Sequence, residues 1–125
     1  MRQLRIPALL VAIMVIALGT TLVWAQASTT LTIDIAPKVI HMNSQGGTFT
    51  VHGEIPLSRV DRNSIAMNGL YPYLVKADAR GELVAKFDID AVKRIVSPPE
   101  TAMTFTGLTV DGTSFVGTAT VRVRQ

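Results

Sequence analysis

From Ser28 to the end of the chain, apolar and polar side chains alternate in short runs separated by turn residues. Leu31, Ile33 and Ile35 alternate with Thr32 and Asp34, the period of two that marks a half-buried strand. Pro37 interrupts this run, and residues 38–42 read as an edge continuation, where a missing N–H costs little. Asn43, Ser44, Gln45, Gly46 and Gly47 form a turn cluster. Across residues 48–55, Phe49, Val51, Gly53 and Ile55 share one face, with Thr48, Thr50, His52 and Glu54 on the other. Pro56 ends the run, and residues 57–63 read as a polar loop that carries Val60 inward.

Residues 64–67 predict a short strand, and Asn68-Gly69 is the strongest hairpin signal in the chain. Pro72 demotes the return segment, residues 70–77, to an edge strand. After a turn at Asp78-Ala79-Arg80-Gly81, residues 82–89 alternate with Leu83, Ala85, Phe87 and Ile89 on one side. Val92, Ile95 and Val96 recur at helical spacing, which predicts a short helix within 88–96, capped by Asp88 or Asp90 and stopped by Ser97-Pro98-Pro99. Ser97 and Glu100 match a capping box, but the threonine-rich run after them is strand-like, so a strand is expected there. In that strand Met103 and Phe105 point inward. Asp111-Gly112 marks a second two-residue hairpin turn, and in residues 114–124 Ala119, Val121 and Val123 face one way, with a bulge expected at Gly117.

Seven or eight short strands, frequent turn signals and one minor helix predict an all-β fold, an antiparallel immunoglobulin-like β-sandwich. A small closed barrel is the alternative. No internal repeat is visible, so a single module is expected.

The first 27 residues have a different composition. Arg2 and Arg5 precede an apolar core at residues 8–18, followed by Gly19-Thr20-Thr21 and then Ala25-Gln26-Ala27. This is the layout of a signal peptide for the general secretory route, with small side chains at the −3 and −1 positions and cleavage before Ser28. The division expected is therefore 1–27 signal peptide and 28–125 β-sandwich domain, in the periplasm or outside the cell. An uncleaved N-terminal helix tethering the domain to the membrane is the alternative, since residues 6–25 are long enough to cross a bilayer.

The chain has 125 residues and a net charge of +3, with 12 basic and 9 acidic side chains. Cleavage removes two of the basic residues and no acidic one, so the mature part is close to neutral. No nucleic-acid partner is expected from such a balance. There is no cysteine, which excludes disulfides, thiolate metal clusters and a thiol nucleophile.

Ile33-Asp34-Ile35-Ala36-Pro37-Lys38-Val39-Ile40, Ser64-Ile65-Ala66-Met67-Asn68-Gly69 and Phe105-Thr106-Gly107-Leu108-Thr109-Val110-Asp111-Gly112 carry a resemblance across most of residues 31–124. The chain resembles a largely uncharacterised family of bacterial secreted, immunoglobulin-like β-sandwich domains, often found beside other extracellular domains. Some relatives carry an aspartate-rich, calcium-type loop between the middle strands. Here only Asp78 and Glu82 remain of it, and Arg80 puts a positive charge where a cation would sit, so calcium binding is not carried over.

Candidate chemistry is sparse. His41 and His52 would neighbour each other if their strands paired across the turn at Gly46-Gly47, yet they lack an evident third ligand. Asp88 and Asp90 fit a helix start better than a catalytic carboxylate pair. No nucleophile elbow and no phosphate-binding loop is present, so no catalytic residue, metal site or cofactor is assigned, and the expectation is a protein that is not an enzyme. Arg59, Arg62, Arg80, Arg122 and Arg124 are scattered, and the last two read as charges guarding an exposed edge strand.

Tyr71-Pro72-Tyr73 stands out. On an edge strand bent by Pro72, Tyr71 and Tyr73 would point the same way and anchor a partner, a protein or a glycan at the cell exterior. The alternative is that these rings merely cover the end of the sandwich. The function expected is an exported, non-catalytic interaction module with Tyr71 and Tyr73 as partner-binding residues. The competing expectation is a structural subunit that self-associates by exchanging its N-terminal strand, residues 28–36. Whether Leu31, Ile33 and Ile35 complete their own core separates the two.

Overall fold

The alternating runs become strands. A computed structural model of the chain describes residues 28–125, so the expected signal peptide, its expected cleavage and the tethered alternative lie outside the described residues. Among the described residues there are nine strands: β1 (Ser28–Thr30), β2 (Ile33–Ala36), β3 (Val39–His41), β4 (Thr48–Pro56), β5 (Ala66–Met67), β6 (Leu74–Ala77), β7 (Glu82–Asp88), β8 (Glu100–Leu108) and β9 (Ser114–Arg124). One short helix, α1 (Ile89–Lys93), follows β7, and single 3-10 turns occupy Leu57–Arg59 and Arg62–Ser64.

The strands form two sheets. One has the order β2-β4-β7-β6; the other has β1-β9-β8-β5, with β3 also paired to β9. Val51, Phe49, Phe87, Ala85 and Leu83 on the first sheet and Met103, Phe105, Val121 and Met67 on the second are fully buried in one common apolar cluster. Each large side chain buried in this way contributes on the order of 1.5–3 kcal/mol. Helix α1 closes one end of the cluster through Ile89 and Val92.

Nine strands rather than seven or eight result because the N-terminal run is cut into three pieces. Strand β1 runs parallel to the start of β9, with Ser28 opposite Ser114. The chain then changes sheets, and β2 pairs antiparallel with β4, Ile35 opposite Val51. After Pro37 it returns, and β3 runs parallel to the end of β9, Ile40 opposite Val123. The expectation of a purely antiparallel fold is corrected here, since both pieces beside β9 are parallel to it. Leu31, Ile35 and Ile40 are buried, and Ile33 packs against the same cluster at partial exposure.

Two glycines make room for this segment. A Cβ on Gly117 would lie 2.7 Å from both the Leu31 carbonyl oxygen and Ile33 Cγ2. No bulge occurs there: β8 and β9 keep register through Phe105 opposite Gly117. Gly117 is needed for close approach, and the register shift of the fold lies instead in β4, between Gly53 and Pro56. A Cβ on Gly53 would press on Leu31 Cδ2 at 3.1 Å.

Other expectations change in detail. Arg122 and Arg124 do not guard an edge, because β9 lies between β8 on one side and β1 and β3 on the other. Arg122 sits opposite Glu100 of β8. Helix α1 is shorter than the 88–96 window, and the Asp88 side chain makes no capping hydrogen bond. The Ser97–Glu100 match does not start a helix; Glu100 opens β8. The second hairpin is also wider than two residues: the Thr109 N–H reaches the Thr113 carbonyl at 2.8 Å, around a turn containing Asp111 and Gly112. Among the described residues no helix is long and apolar enough to cross a membrane.

Candidate functional site

The Asn68-Gly69 signal makes the turn it predicts, but its two flanks part company. Asn68 and Gly69 both take positive φ, 47° and 84°, the pairing that a tight two-residue hairpin turn requires. Met67 and Leu70 exchange backbone hydrogen bonds at 2.8 and 2.9 Å across it. Asn68 also fastens the turn to β8, donating from Nδ2 to the Ala102 carbonyl and accepting the Thr104 N–H at 2.7 Å. Beyond Leu70 the chain leaves the five-stranded sheet altogether. Strand β5 stays paired with β8, while β6 joins the other sheet beside β7.

Tyr71-Pro72-Tyr73 is therefore a crossing between two sheet edges, which corrects the expectation of two tyrosines on one strand face. Tyr71 is 78% exposed, Tyr73 59% and Leu74 42%. The rings are not equivalent. The Tyr73 hydroxyl is hydrogen-bonded to Thr48 Oγ1 at 2.8 Å, which fixes an exposed ring to β4. Beside them lies a hollow of about 440 Å³, bordered by Tyr71, Tyr73, Arg62, Asn63 and Val75.

Nothing in the sequence spacing places Arg62 and Asn63 beside the tyrosines; the fold does. The 3-10 turn that presents them is held from both ends. The Asp61 carboxylate accepts the Asn63 N–H, and Ser64 Oγ donates to the Asp61 carbonyl while accepting the Leu108 N–H at 2.8 Å. The Asp61–Ser64 spacing of a side-chain-stapled turn was the available signal. The Arg62 guanidinium and the Asn63 amide are exposed and make no hydrogen bond or ion pair within the described residues. Tyr71 and Asn63 also border a second, adjoining hollow of about 510 Å³ that continues toward Ala66 and Thr106.

The two histidines are not brought together. His41 pairs with Arg124 in one sheet, and His52 sits in the other between Asp34 and Val84. His52 Nε2 lies 3.5 Å from Asp78 Oδ2, a contact of a histidine with the turn after β6. The Asp78 carboxylate also accepts backbone N–H groups of Arg80 at 2.8 Å and Glu82 at 3.0 Å. These bonds, the one from Glu82 foremost, hold Asp78 below the usual aspartate range. Asp34 is lowered likewise by the ammonium of Lys38, 2.6 Å away. Arg80 pairs with Glu82 at 3.2 Å. Among the described residues no group of three histidine, aspartate or glutamate side chains is arranged to hold a metal ion.

Asp90 lies 4.0 Å from Lys93 within α1, and Asp88 starts that helix, so the pair belongs to the helix start. Of the remaining arginines, Arg122 and Arg124 share β9, Arg59 lies in the first 3-10 turn and Arg80 in the turn between β6 and β7, and Arg62 alone of the five borders the tyrosine hollow. The chain matches no family model, and comparison with curated proteins and with solved structures found no match.

Proposed function

We propose that the protein is an exported, non-catalytic immunoglobulin-like β-sandwich module that contacts a partner at the cell exterior through the Tyr71–Tyr73 crossing. The strand order supports the immunoglobulin-like reading. Lettered in chain order from β2 as A, with β3 its second half, the first sheet runs A-B-E-D and the second contains G-F-C, as in constant-type immunoglobulin domains. That arrangement is also what the resemblance to secreted bacterial domains implies. Export rests on the composition of the first 27 residues.

The observation that carries the interaction reading is the run of exposed apolar side chains at Tyr71, Tyr73 and Leu74, set at a crossing whose neighbours leave polar groups free. Tyrosine offers a large, stiff contact area at low entropic cost, and clustered exposure of this kind marks contact surfaces. Self-association by exchange of residues 28–36 is the weaker reading, because β1 and β2 are already paired with β9 and β4 of their own domain.

Photo-cross-linking in cells that produce the chain tests this. A benzophenone amino acid replaces Tyr71 in one variant and Thr118, on the far part of β9, in another. A defined adduct from position 71 and none from position 118 is expected. Adducts from both positions alike, or from neither, overturn the proposal.

A further inference from the structure

The hollow beside Tyr73 has the composition of a site for a hydroxyl-rich ring with an apolar C–H face. We infer that the Tyr71–Tyr73 crossing, with Arg62 and Asn63, binds a carbohydrate chain; this rests on the interaction reading above and names its partner class. Four features lead there. An exposed aromatic face stacks against the C–H face of a pyranose, and Tyr73 is held ready for this by its hydroxyl bond to Thr48. An amide offers donors beside an acceptor and a guanidinium offers paired donors, planar groups that match neighbouring ring hydroxyls, and Asn63 and Arg62 have theirs unspent within the described residues.

The stapled turn at Asp61–Ser64 fixes where those two side chains begin, so little backbone freedom is lost on binding. Finally, the site is long. Tyr71 and Asn63 border both hollows, which together run from Val75 past Tyr71 toward Thr106. A chain of several sugar units fits this shape, with Tyr73 under one unit and Tyr71 between subsites. Volumes of about 440 and 510 Å³ fall within the roughly 300–1,000 Å³ usual for small-molecule sites.

A peptide is the competing occupant, and the same features disfavour it. A peptide added to β6 would need an edge with backbone groups to share along its length, but β6 has four residues and is entered through Pro72, which has no N–H. The hollow is also open, with Arg62 and Asn63 standing beside Ile65, Leu74 and Val75, whereas a peptide anchor would want an enclosed apolar pocket. Arg62 is its one charged residue, so neutral and acidic sugars are both admissible.

The test uses the chain from Ser28 onward, whose described strands close their own core. Cellohexaose, xylohexaose, mannohexaose, chitohexaose, polygalacturonate and muropeptides are titrated separately into labelled protein, with amide shifts recorded. At least one sugar should bind saturably, with shifts centred on Asn63, Tyr71 and Tyr73. Tyr73→Ala should weaken that binding about tenfold or more, and Asn63→Ala to a smaller degree, while Tyr73→Phe, which keeps the ring but loses its anchor on Thr48, should fall between the parent and Tyr73→Ala. The spectrum of each free variant must otherwise match the parent, which separates lost contact from lost fold.

Shifts centred elsewhere, or affinity unchanged in Tyr73→Ala, overturn the inference. Failure of every sugar, together with an adduct to a protein at position 71, overturns the carbohydrate class and leaves the interaction module standing. Failure of both removes both readings.

Discussion

At the scale of single residues, two glycines and one aspartate make the clearest claims. Gly117→Ala would push a methyl group against the Leu31 carbonyl and Ile33, and Gly107→Ala would place one 2.5 Å from the Phe115 ring and 2.8 Å from Ile65. Neither site can accept it without movement, and each substitution should destabilise by about 1–3 kcal/mol, read as a fall in the denaturant midpoint. Gly117 looked like a bulge in the sequence because a glycine inside an alternating strand has two common causes. Only the neighbouring backbone of Leu31, distant along the chain, distinguishes them.

Asp78 makes a claim about pH. Its folded-state pKa is depressed, so its contribution to stability is present above the ordinary aspartate value of about 3.9 and is lost as pH falls through the folded value. Asp34 and Asp111 act in the same sense, Asp111 through the Thr109 hydroxyl and the Thr113 N–H. The melting temperature should therefore hold from neutral pH to about pH 4 and then drop. Asp78→Asn should start lower at pH 7 and show a shallower acid drop. An acid limb unchanged in that variant would remove Asp78 from the account.

At the scale of elements, the N-terminal run is the most telling. Its alternation made a strand legible, and its burial at Leu31 and Ile35 followed. The division into three strands serving two sheets did not, because which sheet a strand joins depends on partners far along the chain, as Ser28 opposite Ser114 and Val39 opposite Arg122. The same limit applies to Asn68-Gly69. Local chemistry determined the turn, whereas the divergence of β5 and β6 depends on what β8 and β7 offer on either side.

The tyrosine pair was visible for the same local reason, and Arg62 and Asn63 were missed because only the folded chain brings their turn beside it. If the N-terminal run belongs to its own core, a chain starting at Lys38 should fail to fold, seen as loss of the β-sheet circular dichroism signal. Leu31→Ala or Ile35→Ala should each cost about 2–5 kcal/mol. A folded, monomeric chain from Lys38 that takes up an added 28–37 peptide would favour strand exchange instead.

At the scale of the whole molecule, the two sheets close over a core that Phe49, Phe87, Phe105 and the buried aliphatic residues fill without cysteine or tryptophan among the described residues. The tyrosine crossing lies outside that core. Its side chains can thus change without loss of fold, and Tyr71→Ser with Tyr73→Ser should leave stability within about 1.5 kcal/mol of the parent, the allowance for the lost Thr48 bond. This separation makes one measurement decisive. The chain from Ser28 onward and its Tyr71→Ser/Tyr73→Ser variant are titrated onto isolated cell envelope from the producing organism. Saturable binding by the parent, reduced about tenfold or more in an equally folded variant, is the predicted result. Equal binding by the two, or none by the parent, would contradict the assignment of this crossing as the contact surface.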